Sequence, residues 1–492
     1  MNASNKDAFN FPDKTVLNPF LPQDVFIADG EPHVFGDRLY LIGSHDREGG
    51  DSFCMEDYEF FSAPLADLSD WTSKGTNYSA SRDPLYGNNA EYLYAPDVVQ
   101  GNDGRYYLYY CLAGRKGKGG YSHPISVAVC DTPDGEYEYL GAVCNPDGSP
   151  YLDWVCFDPA VMNDNGVIRL YFGSGPFKNI RVRPWNAFIL SKVYSGIYGK
   201  SAKDFFKKPG PLGANAAELS DDMITLKAPP KRICDTADFK GHAFFEGSSI
   251  RKSGNNYYFI YSSQQNHELC YAASEYPDKH FRFCGTLISN GDIGLNGRKA
   301  RNRLNATGTT HGGIERVNGQ WYVFYHRLTH GSDYSRQACA EKLPVTADGR
   351  FGQAEMTSCG LNGGALPGCG GYPATACCNL TNGKMPHIAN KKRQGLPMVT
   401  HEGNLRFVGG AAAGTSAVYK YFDLSEAQKV SVTARGTGIL EVYFGNCRVG
   451  RLGFNSRDWA EEGCSVESDL SNNAITLKVE NGTLDIHSFY LE

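Results

Sequence analysis

Five segments of the chain share one pattern, in which a charged or histidine residue opens a short apolar run that ends at a glycine-centred turn. An aromatic-rich strand follows each turn, as in Tyr257-Tyr-Phe-Ile-Tyr. The distance from opener to turn glycine is 7, 7, 8, 8 and 8 residues in the five copies. This near-constant spacing predicts that the openers hold the same place in five similar β-units. The openers and their glycines are Asp29 and Gly36, Asp97 and Gly104, Asp158 and Gly166, Glu246 and Gly254, and His311 and Gly319.

The intervals between the turn glycines indicate the size of each unit. They are 68, 62, 88 and 65 residues, which leaves room for about four strands of ordinary length with their loops. Four-stranded units repeated around an axis are typical of a β-propeller. We therefore predict an all-β fold with a five-bladed β-propeller over residues 14–375 and an insertion around residues 181–227. Ordinary hairpins in a sandwich are the alternative, but unrelated hairpins would not keep charged openers in step.

The composition and periodicity of the chain change after the predicted propeller. Residues 359–382 are rich in Gly, Cys and Pro, and a basic stretch without strand periodicity follows. We interpret residues 376–397 as a linker. Short alternating strands such as Lys429-Val-Ser-Val-Thr-Ala then return, and they predict a small β-sandwich over residues 398–492.

Composition limits the partners and the compartment of the protein. A net charge of -6 without a basic cluster disfavours nucleic acid as a partner. No apolar run reaches the ~20 residues needed to span a membrane. The N-terminus lacks a signal pattern, and many of the 15 cysteines fall within predicted strands, so we expect a cytoplasmic protein with reduced thiols. A secreted enzyme whose signal has been removed is the alternative, and a disulfide among Cys359, Cys369, Cys377 and Cys378 would support it.

The segments around the openers resemble glycoside hydrolase family 43 over about residues 17–380. What this resemblance implies is a five-bladed propeller that hydrolyses furanosides or xylosides with inversion. The family's general base would fall on Asp29, its orienting Asp on Asp158, its general acid on Glu246, and its central His, a contact of hydrated calcium, on His311. The C-terminal part resembles, less closely, a family 6-like carbohydrate-binding sandwich. The motifs that carry the resemblance begin at Ile27 (IADGEPHVFGDRLY), Tyr94 (YAPDV), Phe157 (FDPAV), His242 (HAFFEGSSI), His311 (HGGIE) and Trp321 (WYVFYHR).

Two positions depart from the family's pattern. Pro usually follows the base directly, whereas Gly30 and Glu31 intervene here and add a second carboxylate. Polar amides commonly precede the central His, whereas Thr309 and Thr310 do so in this chain. The preferred sugar and the metal are therefore less closely defined than the acid and the base.

The residues themselves also favour glycoside chemistry. Inverting hydrolysis needs an ionised carboxylate that activates water and a protonated carboxyl that donates to the leaving oxygen, ~6.5–9.5 Å apart. Asp29 and Glu246 open different blades and can face each other across the axis. The apolar neighbours of Glu246 should raise its pKa, and Asp158 should raise it further by charge repulsion.

Several other residues are predicted to contact the substrate. Antiparallel pairing returns the second strand of a hairpin to its opener, which brings Gln264 and Arg327 towards the pocket rim. Phe35 and Tyr94 lie beside openers in the sequence and are candidates to stack on a sugar. Asp97 either binds sugar hydroxyls or caps backbone N–H groups. For His311, the alternative to an indirect calcium contact is a hydrogen bond to the sugar or to a carboxylate.

Together these observations predict an inverting, exo-acting glycoside hydrolase, an α-L-arabinofuranosidase acting on oligosaccharides from plant polysaccharides. β-Xylosidase and β-galactofuranosidase are the alternatives within the enzyme class. A non-catalytic carbohydrate-binding propeller is the alternative from another class, and the presence of all three carboxylates argues against it.

Overall fold

The computed structural model describes residues 14–177, 183, 185–387, 395–467 and 470–492, with the side chains of residues 471 and 472 excepted. The described chain forms five small antiparallel sheets and one larger C-terminal sheet. This confirms the all-β prediction of a five-bladed propeller followed by a further β-domain.

In each blade the strands pair in chain order, so that each strand lies beside its sequence neighbour. The first blade contains β1 (Ile27–Phe35), β2 (Arg38–His45), β3 (Tyr58–Pro64) and β4 (Thr72–Tyr78). The second contains β5 (Tyr92–Gln100), β6 (Tyr106–Ala113), β7 (Ser126–Cys130) and β8 (Glu138–Ala142). The third contains β9 (Ala160–Asp164), β10 (Val167–Ser174), β11 (Gly213–Glu218) and β12 (Lys231–Cys234). The fourth contains β13 (Phe244–Ser253), β14 (Asn256–Ser263), β15 (Glu268–Ser274) and β16 (Arg282–Ser289), and the fifth β17 (Ile314–Val317), β18 (Gln320–Leu328) and β19 (Arg336–Lys342).

The first strands of the five blades line the axis. Strand β1 contacts β5, β5 contacts β9, β9 contacts β13, β13 contacts β17, and β17 contacts β1. Four of the openers lie at or just before the start of these strands, so the ring brings them towards one end of the central channel. They are Asp29, Asp158, Glu246 and His311.

The N-terminal segment closes the ring against the fifth blade. The Phe20 amide donates to the Ala338 carbonyl at 3.3 Å, and the Asn18 side chain donates to the Ala340 carbonyl at 2.8 Å. Phe20 packs in one apolar cluster with Phe324 and with Leu39 of the first blade. The fifth blade, which has three strands, is thereby fastened to the beginning of the chain.

The predicted insertion lies between β10 and β11, over residues 175–212, and carries helix α1 (Ala187–Tyr198). Residues 178–182 and 184 of it lie outside the described residues. The predicted segment 181–227 extends too far, because residues from Gly213 onward form β11. Within the described residues no helix is long and apolar enough to cross a membrane. The described short 3-10 helices are Ala80–Arg82, Arg115–Gly117, Asp204–Phe206, Leu295–Gly297, Ala300–Asn302, Gly360–Asn362 and Ala374–Ala376.

The C-terminal sheet has nine strands, which enclose a separate apolar core. Its first three strands come from the segment before residue 382, and each pairs with the strand Ser416–Leu424 or the strand Leu470–Leu491. The predicted propeller boundary at residue 375 and the start of the predicted linker therefore fall in a segment that is hydrogen-bonded to this sheet. Residues 388–394 of that linker lie outside the described residues. The strands are β20 (Leu366–Pro367), β21 (Gly370–Pro373), β22 (Asn379–Thr381), β23 (Met398–Glu402), β24 (Leu405–Ala412), β25 (Ser416–Leu424), β26 (Lys429–Phe444), β27 (Cys447–Ser465) and β28 (Leu470–Leu491).

The C-terminal sheet contacts the propeller through polar groups. Arg406 of β24 donates through both terminal nitrogens to the Glu48 carboxylate, at 2.7 and 2.8 Å. The Val399 amide donates to the Thr329 carbonyl at 3.0 Å. Glu48 belongs to the loop between β2 and β3, so this contact reaches a loop at the opener end of the first blade.

Candidate active site

Three of the predicted site residues meet at the opener end of the channel. Nδ1 of His311 lies 3.8 Å from Oδ1 of Asp29 and 3.8 Å from Oδ2 of Asp158. All three side chains are buried. Oδ2 of Asp158 accepts a hydrogen bond from the Gly247 amide at 2.8 Å, which places Glu246 beside the same group. The structure therefore brings together four of the five openers.

The backbone explains how two of these carboxylates reach the channel. Pairing of β1 with β2 is irregular between Ala28 and Glu31, and Asp29 within this irregularity has φ 53°. Asp158, just before β9, has φ 46°. A non-glycine residue in this left-handed region is uncommon and requires support from its surroundings. At both residues this conformation turns the backbone away from regular β-strand geometry at the mouth of the channel.

Asp29 lies in a cationic environment. Its Oδ1 accepts a hydrogen bond from Nη1 of Arg336 at 2.8 Å, and its amide donates to Nδ1 of His326 at 3.2 Å. Burial acts to raise the pKa of Asp29, but the charge of Arg336 and the nearby His326 and His311 outweigh it and lower the pKa to about 2. Asp29 is therefore ionised across the neutral range.

Arg336 is itself fixed by a second carboxylate. Asp46 accepts from Nε of Arg336 at 2.8 Å, from its Nη2 at 2.9 Å and from its amide at 3.0 Å. The guanidinium also lies over the ring of Phe53, 4.7 Å from its centre. A two-point pairing of this kind sets the direction of the guanidinium, so that its remaining nitrogen points at Asp29.

Glu246 lies in an aromatic environment instead. Its Oε2 accepts one hydrogen bond, from the Tyr121 hydroxyl at 3.2 Å, and the preceding residues Phe244 and Phe245 are buried. Burial raises the pKa of Glu246 to about 8, with a further contribution from the charge of Asp29, although the Tyr121 hydrogen bond opposes the shift. Glu246 is therefore suited to carry a proton at neutral pH.

Burial also raises the pKa of Asp158, and the charges of Glu246 and Asp29 raise it further. Asp158 and Glu246 interact strongly, so their protons are lost in steps that belong to the pair. The Gly247 amide favours the ionised form of Asp158. This hydrogen bond opposes the rise in the pKa of Asp158 but does not outweigh it.

His311 has one ring nitrogen free for a further ligand. Its Nε2 is buried and has no hydrogen-bond partner among the described residues, and the same holds for Glu31 Oε1 and Ser248 Oγ. The other oxygen of Glu31 accepts from the Ser249 hydroxyl at 2.9 Å and from Arg251 at 3.3 Å. Calcium prefers oxygen ligands, so a calcium ion would contact His311 through water. The free nitrogen of His311 is compatible with such a contact, and the calcium site stays a prediction.

Of the predicted sugar contacts, Tyr94 lies near the catalytic groups. Tyr94 is 8% exposed, and its buried hydroxyl has no partner within the described part of the chain. Its surroundings include Asp29 and Arg336. Gln264, directly after β14, lines a groove between the fourth blade and the insertion.

The structure places Phe35 and Arg327 away from the carboxylates, which corrects both predictions. Phe35 ends β1, six residues after Asp29, and at about 3.3 Å per residue it lies ~20 Å along the strand. It packs against Tyr106, with ring centres 5.1 Å apart. Arg327 follows His326 in β18 and faces the opposite side, since side chains alternate along a strand. It donates to the carbonyls of Cys377 and Cys378 at 3.0 and 3.2 Å.

Asp97 holds a different position from the other openers. The irregularity of β5 lies before it, between Tyr94 and Asp97. The loop after Gln100 is longer than the two-residue turn of the first blade, so the equal count to the turn glycine is coincidental. Asp97 caps backbone amides, because its oxygens accept from Val98 at 2.8 Å and from Val161 at 2.7 Å. Of the two alternatives for Asp97, the structure supports the structural cap.

Two important residues were not predicted. Arg336 begins the third strand of the fifth blade, where an arginine opening the apolar run Ala338-Cys-Ala gives a weak signal. Tyr121 lies in the loop between β6 and β7, and nothing in its local sequence marks it. Both reach the site only because neighbouring blades surround the channel.

The comparisons with known proteins agree with this geometry. The sequence model of glycosyl hydrolases family 43 matches residues 16–351. A xylosidase/arabinosidase of Thermoclostridium stercorarium is 39% identical over 451 residues, covering 87% of this chain and 88% of that protein. A xylosidase/arabinosidase 43A of Humicola insolens is 29% identical over 351 residues, covering 67% of this chain and 96% of that protein.

Solved structures show the same relationship. A family 43 β-xylosidase/α-arabinofuranosidase from a compost microbial metagenome, in complex with xylotriose and in a calcium-free form, is 27% identical with a TM-score of 0.51, covering 68% of this chain and 96% of that one. The GH43_1 enzyme of Xanthomonas citri complexed with xylose is 26% identical with a TM-score of 0.52, covering 69% and 93%. The family match spans more than half of the chain and includes all five blades, and the protein therefore belongs to glycosyl hydrolases family 43.

Proposed function

We propose that the protein is an inverting, exo-acting α-L-arabinofuranosidase that acts on oligosaccharides derived from plant polysaccharides. The observation that carries the proposal is the contrast between Asp29, held ionised by Arg336, and Glu246, kept protonated by burial. The relatives named xylosidase/arabinosidase support a pentose substrate, and β-xylosidase activity is the second candidate. Membership of a glycosidase family disfavours a non-catalytic binding propeller.

In the proposed reaction each residue has one task. Asp29 accepts a proton from a water molecule, which attacks the anomeric carbon. Glu246 donates its proton to the leaving oxygen as the glycosidic bond breaks. Asp158 holds the backbone beside Glu246 through the Gly247 amide. Arg336 keeps Asp29 ionised and oriented.

A calcium ion would contact His311 through water. When bound, it would supply positive charge and fix the orientation of His311 between the two Asp residues. The structure of the compost metagenome enzyme is described as a calcium-free form, which supports calcium as a ligand in this family. We further propose a cytoplasmic location, supported by the use of buried cysteines such as Cys54 and Cys111 as packing residues; detection of the protein in culture medium would overturn it.

The test is hydrolysis of aryl α-L-arabinofuranoside, β-D-xyloside and β-D-galactofuranoside by the wild type and by Glu246→Gln. Release of arabinose that is lost in the variant supports the proposal. Release of xylose or galactofuranose alone would replace the sugar in it. The anomer of the released sugar, followed by NMR before mutarotation, tests inversion: a product with the configuration of the substrate contradicts it.

A further inference from the structure

The fourth blade holds a cluster of ionisable side chains that the proposed reaction does not use. His242 lies two residues before β13, and Glu268 and Cys270 lie in β15. Nδ1 of His242 is 2.8 Å from Oε1 of Glu268 and 3.8 Å from Sγ of Cys270. One atom from each of the three side chains lies within 4.8 Å of the other two. Two separate segments of the blade thus bring a nitrogen, an oxygen and a sulfur atom to one place.

The orientation of His242 is fixed by the strands that follow it. The Tyr261 hydroxyl of β14 donates to the His242 carbonyl at 2.8 Å. The imidazole stacks on the ring of Phe283 in β16, with ring centres 4.7 Å apart and ring planes 15° apart. These contacts hold the ring in one orientation, with Nδ1 directed at Glu268.

The carboxylate of Glu268 is oriented by two hydroxyl groups. Ser263 Oγ donates to its Oε1 at 2.6 Å, and Thr286 Oγ1 donates to its Oε2 at 3.1 Å. Burial acts to raise the pKa of Glu268, but the hydrogen bonds from His242 and Ser263 outweigh it and lower the pKa. Glu268 is therefore ionised at neutral pH. Hydrogen bonds of this kind also orient the carboxylate ligands of protein-bound metals.

The spacing of the three atoms suits a small tetrahedral metal ion. Bonds of about 2.0–2.3 Å from zinc to oxygen, nitrogen and sulfur, at tetrahedral angles, place the ligand atoms roughly 3.3–3.6 Å apart. The observed distances of 2.8 and 3.8 Å lie on either side of this range, so small side-chain movements would complete the geometry. The side chain of His242 is 37% exposed. An ion can therefore enter from solvent and keep a water molecule as its fourth ligand.

The types of ligand atom define the class of metal. Thiolate and imidazole favour zinc and related ions, whereas calcium and magnesium prefer oxygen ligands. Burial raises the pKa of the Cys270 thiol well above its usual range, so the thiol keeps its proton until a metal arrives. Binding forms the metal–sulfur bond and releases that proton to solvent. Nδ1 of His242 binds in the neutral ring whose proton is on Nε2.

We propose that His242, Glu268 and Cys270 bind one divalent metal ion of the zinc class, with water as the fourth ligand. The ion joins the segment before β13, the strand that carries Glu246, to β15. Because this arrangement of ligands exists only when the strands are paired, the bound ion stabilises the folded blade. The inference does not depend on the proposed function.

The test is titration of the whole chain, first treated with a chelator, with Co²⁺ as a spectroscopic substitute for Zn²⁺. Excess Ca²⁺ is present throughout to occupy sites made of oxygen ligands. We expect one Co²⁺ per chain, with a sulfur-to-cobalt charge-transfer band and the intense visible bands of four-coordinate Co²⁺. Zn²⁺ should displace Co²⁺ and abolish these bands. At about 100 times its Kd, Zn²⁺ should also raise Tm by about 2–4 °C.

Two variants assign the bound metal to this cluster. Cys270→Ser should remove the charge-transfer band, and His242→Asn should raise the Kd for Co²⁺ at least about tenfold. Cys284→Ser changes a thiol of the neighbouring strand β16 and is the matched control, which should bind as the wild type does. Because His242 is partly exposed, His242→Asn should fold and decides the matter even if Cys270→Ser does not fold.

Three results would overturn the proposal. The first is a charge-transfer band that persists in Cys270→Ser or is unaffected by His242→Asn, which would place the metal at another thiol. The second is binding without a sulfur band, which would point to a group that has no thiol, such as Glu31, His33 and Asp97. The third is a rise in Tm with Zn²⁺ that is equal in the wild type and in His242→Asn.

Discussion

The two sides of the catalytic channel use opposite means to set the charge of a carboxyl group. On the base side, Asp29 is buried next to Arg336, which Asp46 holds in place. On the acid side, Glu246 is buried among aromatic residues and accepts one bond from Tyr121. Burial alone raises the pKa of both carboxyls. The difference between their pKa values therefore comes mainly from Arg336 beside Asp29, with smaller contributions from His326 and His311.

The two sides of the channel also differ in how much stability depends on the catalytic groups. Arg336, Asp46 and Asp29 form a buried charge network whose members depend on one another, whereas the acid side is largely apolar. Removal of a charge from such a network leaves another buried without a partner, at a cost of ~3–5 kcal/mol. The base side is therefore the more fragile of the two.

The largest effect is expected from removal of the base itself. Asp29→Asn should lower kcat/KM by about 10²–10⁴, the range for general base catalysis, on every substrate that the enzyme accepts. Steady-state assays on aryl and natural substrates check this. Asp37→Asn, an exposed residue in the turn of the same hairpin, is the matched control and should behave as wild type; comparable losses in both would point to a folding effect.

Replacing the cation should make the base side resemble the acid side. Arg336→Ala removes the charge that lowers the pKa of Asp29, so this pKa should rise. Because the base acts when ionised, the acidic limb of kcat/KM should move from near pH 2 to higher pH, with a rate loss of about 10² at neutral pH. pH–rate profiles measure this, with chemical denaturation to quantify the lost stability. Arg350→Ala, which breaks an exposed ion pair with Asp348, should leave the profile unchanged.

A smaller effect on activity is expected from a change on the acid side. Tyr121→Phe deletes the hydrogen bond that lowers the pKa of Glu246. The acid acts when protonated, so the basic limb, expected near pH 8, should move to higher pH and kcat should fall severalfold. Tyr137→Phe removes a buried hydroxyl that donates to Pro133 and is the control. A basic limb that moves to lower pH would contradict the assignment of Glu246.

The smallest effect is expected from the contact between the C-terminal sheet and the loop on the base side. This prediction tests whether that contact stabilises the loop. Glu48 and Asp46 lie in one loop, and burial of Glu48 raises its pKa, while Arg406 and His330 together lower it to about 2. The stabilisation from this pair is present above the ordinary Glu pKa of about 4.3 and is lost as the pH falls towards 2. Arg406→Ala should cost about 1 kcal/mol at pH 7 and change kcat/KM less than threefold. Denaturant unfolding at pH 7 and pH 3 checks this, and Arg451→Ala, on an exposed pair with Glu480, should cost less.

The sequence was most informative where chemistry is repeated locally. Spacing of openers and turn glycines predicted the propeller, and it placed Asp29, Asp158, Glu246 and His311 at one end of the channel. The same count wrongly grouped Asp97 with the other openers. The longer loop after β5 offsets the later position of Asp97 in its strand, so the number of residues to the turn glycine stays the same.

The local sequence pattern could not predict contacts between different blades. Arg336 meets Asp29 because the fifth blade closes on the first, and Tyr121 meets Glu246 from a loop of the second blade. The residues next to Arg336 and Tyr121 in the sequence do not indicate either contact. Phe35 could have been placed correctly, since six residues of extended strand carry it far from Asp29.

The most direct test of the account is the dependence of each catalytic variant on the leaving group. A dinitrophenyl glycoside departs without a proton, whereas a natural oligosaccharide needs one. If Glu246 is the acid and Asp29 the base, Glu246→Gln should keep dinitrophenyl glycoside hydrolysis within about tenfold of wild type and lose about 10³ on the oligosaccharide, while Asp29→Asn should lose both. Equal losses on the two substrates in Glu246→Gln, or a dinitrophenyl glycoside still cleaved by Asp29→Asn, would contradict the account.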